Sequence, residues 1–195
     1  MMSDENISLN NLNSVDKLKT ILQKVKQGQL EVDDALTTLT DPGYEDIGFA
    51  KIDHDRQQRR GFPEVVLCEG KTTEQVVEII KTMAGEHDNV MGSRAEPEVY
   101  EAVKSEVPAV RYNELGRTII LEQDPLPRVG SILIVSAGTS DLPVVEEAAE
   151  TAQIMGNSVE KLNDAGVAGI HRLLNNVDYL NRAKVIIVVA GMEGA

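Results

Sequence analysis

From Ser14 onward, apolar residues recur at helical spacing. Val15, Leu18, Ile21, Leu22 and Val25 fall on one face, with Ser14 as the cap and Gly28 as the stop. The next run, EVDDALTTLTDPGY, predicts a second, shorter helix closed by Pro42 and Gly43. Together they form a helical hairpin behind a polar, Asn-rich tail over residues 1–13. Its expected role is packing or contact between copies rather than catalysis.

Past residue 44, short apolar runs alternate with helical periodicity. GFAKID and PEVVLCEG read as strands, and TTEQVVEIIKTMAGE as a helix capped by Thr72 or Thr73. DNVMGSR reads as a short strand, AEPEVYEAVKSE as a helix, and AVRYNELGRTIILEQ as two strands about a turn at Glu114-Leu115-Gly116. The prolines of EQDPLPRVG mark a linker over 124–129. Beyond it come a strand at 131–136, a helix from about 141 to 156, and NSVEKLND, a segment poor in apolar residues. A helix from about 171 to 182 and a very apolar run, KVIIVVAGMEGA, complete the chain.

Strands that are apolar on both faces belong in a parallel sheet covered by helices, and strand–helix alternation predicts an α/β protein with right-handed crossovers. The expected plan is a tail and helical hairpin (1–43), a small α/β domain (44–123), a linker (124–129) and a nucleotide-binding domain (130–195). The last ends directly after a core-like strand, so it is read as incomplete.

Composition narrows the functions. The formal net charge of −13 argues against a protein that works by neutralising nucleic-acid phosphates. One cysteine, Cys68, leaves no intramolecular disulfide and no cysteine-based zinc site. The N-terminus lacks a basic-then-apolar signal pattern, and no apolar run reaches the ~18 residues of a membrane span. A soluble, cytoplasmic protein is expected.

In such folds ligands sit at the carboxyl ends of strands. Two strand ends here are rich in glycine. In the first, SAGTSD, Ser136, Thr139 and Ser140 supply hydroxyls, Gly138 lets a ligand approach the backbone, and Asp141 is placed to cap the helix that follows. The structural alternative is simply a well-capped helix start. In the second, AGMEGA, Gly191, Met192 and Gly194 flank Glu193, which is also the pattern of an ordinary strand-to-helix turn. His171 and Arg172 offer a phosphate contact or a structural pair. Glu69 and Lys71 flank Gly70 at another strand end, as site residues or as an exposed charge pair. Arg56, with Arg59 and Arg60, makes the most basic patch of an acidic chain and suits an anion. Asp53, His54 and Asp55 resemble a metal cluster, but alternation along a strand turns neighbours to opposite faces, so the metal site is left unknown. Cys68 reads as a buried strand residue rather than a nucleophile.

Taken together, SAGTSD, GIHR and VVAGMEGA resemble the sheet of the PurE (aminoimidazole ribonucleotide carboxylase) family. Ala137 and Thr139 depart from that pattern, as do Leu173 and Leu174 after the His-Arg pair. A fuller resemblance is to the LarB family, carried by Asp53, Arg56, GFPEVVLCEGKT, SAGTSDLPVVEEA and AGMEGA, and it covers about residues 14–195. It implies a PurE-like, flavodoxin-like C-terminal domain. It also implies a pyridinium-3,5-biscarboxylic acid mononucleotide synthase of nickel-pincer cofactor biosynthesis, which serves lactate racemase. Such an enzyme carboxylates nicotinic acid adenine dinucleotide at C5 with CO2 and hydrolyses the phosphoanhydride, releasing AMP. Mg2+ is expected to assist, with CO2 or bicarbonate as co-substrate and no prosthetic group. A homo-oligomer, an octamer by resemblance, is expected, with no nucleic-acid or membrane partner.

By the same resemblance, Gly138, Thr139, Ser140 and Asp141 line the nucleotide pocket, with Ser136 at its base and Asp141 near the ring. His171 and Arg172 take phosphate, Gly191 to Gly194 close the wall, and Glu69 and Lys71 reach the carboxylate or CO2. The family's ring-attacking cysteine lies beyond residue 195, and Cys68 does not match it. The alternatives are an aminoimidazole ribonucleotide carboxylase or mutase-like enzyme, a non-catalytic nucleotide-binding subunit, or an inactive fragment.

Overall fold

The computed structural model describes residues 14–40, 44–54, 56, 61–62, 64–85, 89–191 and 194. The chain divides into two compact units, Met1–Phe62 and Pro63–Ala195.

The first unit holds the hairpin, α1 (Ser14–Lys26) and α2 (Val32–Thr40). Gly28 stops α1 because the chain turns left-handed there, at φ 69°. The Gly28 N–H donates to Val25 O and the Gln29 N–H to Lys24 O, so a Schellman cap satisfies carbonyls of the last turn. Ile21 and Ala35 are buried. A two-strand ribbon follows, β1 (Glu45–Asp46) antiparallel to β2 (Lys51–Ile52). Its turn is held by the Asp46 carboxylate, which accepts from the Gly48 N–H at 2.9 Å. The predicted close at Pro42-Gly43 lies outside the described residues.

The second unit contains two sheets. The first has the order β3-β4-β6-β5, built from β3 (Glu64–Leu67), β4 (Val90–Ser93), β5 (Arg111–Asn113) and β6 (Thr118–Leu121). β3 and β4 are parallel, joined through α3 (Thr73–Gly85); the other pairs are antiparallel. Thr72 is the cap of α3 and forms a capping box with Gln75. The Thr72 N–H donates to Gln75 Oε1 (3.0 Å), and the Gln75 N–H to Thr72 Oγ1 (3.3 Å). Helix α4 spans Pro97–Glu106, with proline in its first turn, where the missing N–H has no intrahelical partner to lose.

The second sheet has the order β8-β7-β9 and is all parallel, from β7 (Val129–Ser136), β8 (Asn157–Leu162) and β9 (Val185–Val189). Helix α5 (Leu142–Ile154) links β7 to β8 and lies between the two sheets. Val145 and Ala149 pack on Ile134, while Ile154 packs on Met91 and Ile120 of the other sheet. Leu133 and Val135 are covered on the opposite face by Leu173, Leu180 and Ala183.

Two expectations change here. NSVEKLND is an edge strand, β8, with alternating half-buried and exposed positions and only β7 beside it. The single helix expected over 171–182 is two, α6 (Ile170–Leu174) and α7 (Val177–Arg182). Asn176 breaks it: its side-chain amide donates to Arg172 O at 2.8 Å and takes up a carbonyl of the last turn. The chain is thus α/β, and its 8-7-9 order is the 2-1-3 beginning of a flavodoxin-like sheet. Among the described residues no helix is long and apolar enough to cross a membrane.

Candidate functional site

In the 8-7-9 order the connections from the central strand β7 run to opposite sides, so the crevice beyond its carboxyl end is the topological switch point. The loops after β7 and β9 meet there. The Ala137 N–H donates to Val189 O at 3.1 Å, which ties the two strand ends together.

After Ala137 the chain crosses Gly138 in an extended conformation (φ −148°, ψ −179°) and enters a 3-10 turn at Thr139–Asp141 that leads into α5. Gly138 and Asp141 hold each other. The Gly138 N–H donates to Asp141 Oδ2 at 2.8 Å, and the Asp141 N–H donates to Gly138 O at 3.2 Å. The Asp141 carboxylate is therefore an organiser of the loop. Thr139 and Ser140 are exposed at the positive end of a 13-residue helix, where backbone geometry favours an anion.

Ser136 is placed differently from its neighbours. It is fully buried, and its hydroxyl turns toward the loop after β8: it accepts from the Asp164 N–H (3.2 Å) and lies 3.4 Å from Asn163 Oδ1. The Ala165 N–H donates to Ser136 O and the Gly166 N–H to Ala137 O, so this loop is stitched to the end of β7. Gly166 is required by space, since a Cβ there would stand 2.8 Å from Ala137 O. Beneath the loops lies a cavity of about 240 Å³, lined by Val135, Ala137, Val167, Leu180, Val188 and Ala190 among others.

Arg172 is held by Asp164 on the loop after β8, an ion pair next to the crevice. Its Nε is buried without a partner and packs over Gly169, where a Cβ would come within 2.6 Å of it. His171 is exposed on α6. On the β9 side, Gly191 and Gly194 are described; Gly194 takes φ 80° and its N–H donates to Gly191 O. Met192 and Glu193 lie outside the described residues.

Glu69 and Lys71 sit together at the carboxyl end of β3. Glu69 pairs with Arg94 at 2.8 Å, and the Lys71 ammonium donates to Leu67 O at 2.7 Å. The Glu69 hydrogen bond, helped by the charges of Glu69 and Glu147, raises the pKa of Arg94, and the pull of Glu147 sets this group near α5. Arg94 itself is left-handed at φ 51°. Among the described residues no hydrogen bond or ion pair joins Glu69 or Lys71 to the β7 and β9 loops. Arg56 is exposed in the first unit; Arg59, Arg60 and Asp55 lie outside the described residues. His54 contacts Glu45 at 3.1 Å, and among the described residues no three His, Cys, Asp or Glu side chains gather to hold a metal.

Cys68 follows β3 and is buried, its Sγ donating to Val66 O at 3.6 Å. Burial pushes its thiol up to about 11, against a smaller opposing pull from Lys71. At pH 7 only about one thiol in ten thousand is then ionised. Iodoacetamide is expected to label the native chain far more slowly than the urea-unfolded chain, as read by intact mass. Equal rates would show that the thiol is accessible.

Sequence reasoning did not single out Asn163, Asp164, Gly166 or Arg94. The small-residue turn N-D-A-G carries the same strand-end signal as SAGTSD, but it becomes visible only once β8 is recognised as a strand.

A parallel sheet with its glycine-bearing loops gathered at a switch point defines an α/β protein of the flavodoxin-like class. Residues 44–123 match the LarB/PurE-like N-terminal domain. An uncharacterized protein of Methanocaldococcus jannaschii is 32% identical over 190 residues, covering 91% of this chain and 73% of that relative. The chain belongs to the LarB family, whose chemistry is of the carboxylase type.

Proposed function

We propose that the chain binds nicotinic acid adenine dinucleotide at the β7/β9 switch point and carboxylates its pyridinium ring at C5, with release of AMP. The observation that carries this reading is a pair of glycines the fold does not need. Gly138 is extended, and Gly191 is not in the left-handed region; a Cβ at either would meet nothing within 4 Å. A position with neither a conformational nor a packing reason for glycine is suited to close approach by a ligand. The two face each other from the loops of β7 and β9.

The exposed hydroxyls of Thr139 and Ser140 and the start of α5 suit a phosphate. The apolar cavity beneath suits a ring. Asp141, bound to the Gly138 amide, holds the loop in shape and presents a carboxylate beside a cationic pyridinium. The described residues offer no donor set for a resident Mg2+, so every role here rests on the chain's own groups. A pyridinium carbon becomes nucleophilic only after a group adds to the ring, and the CO2 adduct then loses its proton to a base. Cys68, buried and protonated, is unsuited to that addition.

The test is incubation with nicotinic acid adenine dinucleotide, Mg2+ and 13C-bicarbonate, read by mass spectrometry beside calorimetric binding of the dinucleotide. A labelled dicarboxylated mononucleotide with stoichiometric AMP is expected. Binding without label favours a nucleotide-binding subunit, the reading that the inert Cys68 supports. Absence of binding overturns both.

A further inference from the structure

We propose that the helical hairpin is a self-association element: two copies pair through α1 and α2 into a four-helix bundle, with both hairpins pointing the same way. The hairpin cannot bury its own apolar surface. Ile21 and Ala35 are enclosed, yet Leu18 (42%), Leu22 (55%), Val32 (59%), Leu36 (53%) and Leu39 (42%) remain exposed. These residues are not scattered. Leu18, Leu22 and half-buried Val25 follow one another at spacings of four and three along α1, as do Val32, Leu36 and Leu39 along α2. That is the pattern of a helix seam. Because the helices are antiparallel neighbours joined by a short turn, the residues form three apolar layers: Val25 with Val32 near the turn, Leu22 with Leu36, and Leu18 with Leu39.

Charge identifies the occupant and its orientation. The last turn of α1 is basic (Lys24, Lys26), whereas the first turn of α2 is acidic (Asp33, Asp34) behind Glu31 and carries no lysine or arginine. In a bundle alternating α1, α2, α1′, α2′ with both turns at one end, every neighbouring pair is antiparallel. Each basic end of α1 then meets an acidic start of α2 on both sides. Turning one hairpin over would set the basic and acidic turns of the two copies at opposite ends of helices roughly 20 Å long, and the complementarity between copies would vanish. The surface thus fits a second copy of this chain.

The test uses the full chain. Light scattering should show the mass per particle halved when Leu22→Glu and Leu36→Glu are combined, with circular dichroism unchanged, because both side chains are exposed and their loss leaves the fold intact. Exposed Gln29 lies at the turn, so Gln29→Cys with a bis-maleimide spanning about 10 Å, the separation of packed helices, should trap a covalent dimer. Buried Cys68 serves as the unreactive internal control. An unchanged mass in the Leu22/Leu36 variant overturns the pairing, and a failure of Gln29→Cys to cross-link overturns the orientation. Either result leaves the nucleotide reading untouched, since the hairpin supplies no residue to that site.

Discussion

Replacing Arg111 by alanine is expected to cost the fold about 2–3 kcal/mol at neutral pH and far less at pH 4. Arg111 on β5 grips Glu150 on α5 with two hydrogen bonds, Nη1 to Oε1 at 2.9 Å and Nη2 to Oε2 at 2.7 Å. Asn113 adds a donor to each of Glu146 and Glu150, and Lys161 reaches Glu146 at 2.6 Å. Glu150 is 7% exposed, while the Arg111 side chain is half exposed. The partners are therefore unequal: without Glu150 the guanidinium can turn to water, but without Arg111 the carboxylate stays buried.

Burial is the largest influence on the Glu150 carboxyl and raises its pKa. The hydrogen bonds from Arg111 and Asn113 and the charges of Arg111 and Lys161 outweigh it and hold the group below 4.5. A depressed carboxyl stabilises the fold above its unfolded pKa, and that contribution is lost as pH falls through the folded value. In the Arg111→Ala chain burial dominates, so the same carboxylate destabilises at pH 7 and ceases to do so once protonated. Removing one partner of a fully buried pair costs about 3–5 kcal/mol; the half-exposed arginine places this one lower. Urea unfolding at pH 7 and pH 4 separates the causes. A loss equal at both would mean that the arginine stem packs and its charge is idle.

That interaction also marks where the sequence stops being legible. Helix ends were readable because their causes are local: Gly28 must turn left-handed, and Thr72 and Gln75 form their box within four residues. The α/β class was readable from strands apolar on both faces. The division into two sheets with α5 shared between them was not, because α5 buries one side on Ile134 and another on Met91, and composition shows only a mostly apolar helix. Arg111 and Glu150 are 39 residues apart, and nothing near either names the other.

The candidate site divides in the same way. The glycine-bearing ends of β7 and β9 were visible in sequence because a strand end followed by small residues is a local signal. The direction of each side chain was not. Ser136 and Thr139 look alike in SAGTSD, yet one hydroxyl is enclosed against Asn163 and Asp164 while the other residue is exposed. A strand reverses its faces at each residue, and a 3-10 turn resets them. Which residue faces the ligand thus depends on where β7 ends.

Gly138→Ala should leave stability within about 0.5 kcal/mol of the wild type, or raise it slightly, because an extended backbone accepts alanine and an unfolded chain with fewer states is easier to order. The added Cβ meets no atom of the protein within 4 Å. It stands instead where the proposed ligand approaches the loop. Hydrogen bonds to a charged group contribute about 1.5–3 kcal/mol each, so one lost through the intruding methyl should weaken dinucleotide binding by roughly 10- to 100-fold.

Gly166→Ala is the contrasting case, because its Cβ would press on Ala137 O at 2.8 Å. That substitution should lower the unfolding midpoint and disturb the same loop through the fold. Binding lost without stability lost in Gly138→Ala would identify 138 as ligand-facing. Wild-type affinity in Gly138→Ala would mean that no ligand approaches the amide, and the switch-point assignment would lose the observation on which it stands.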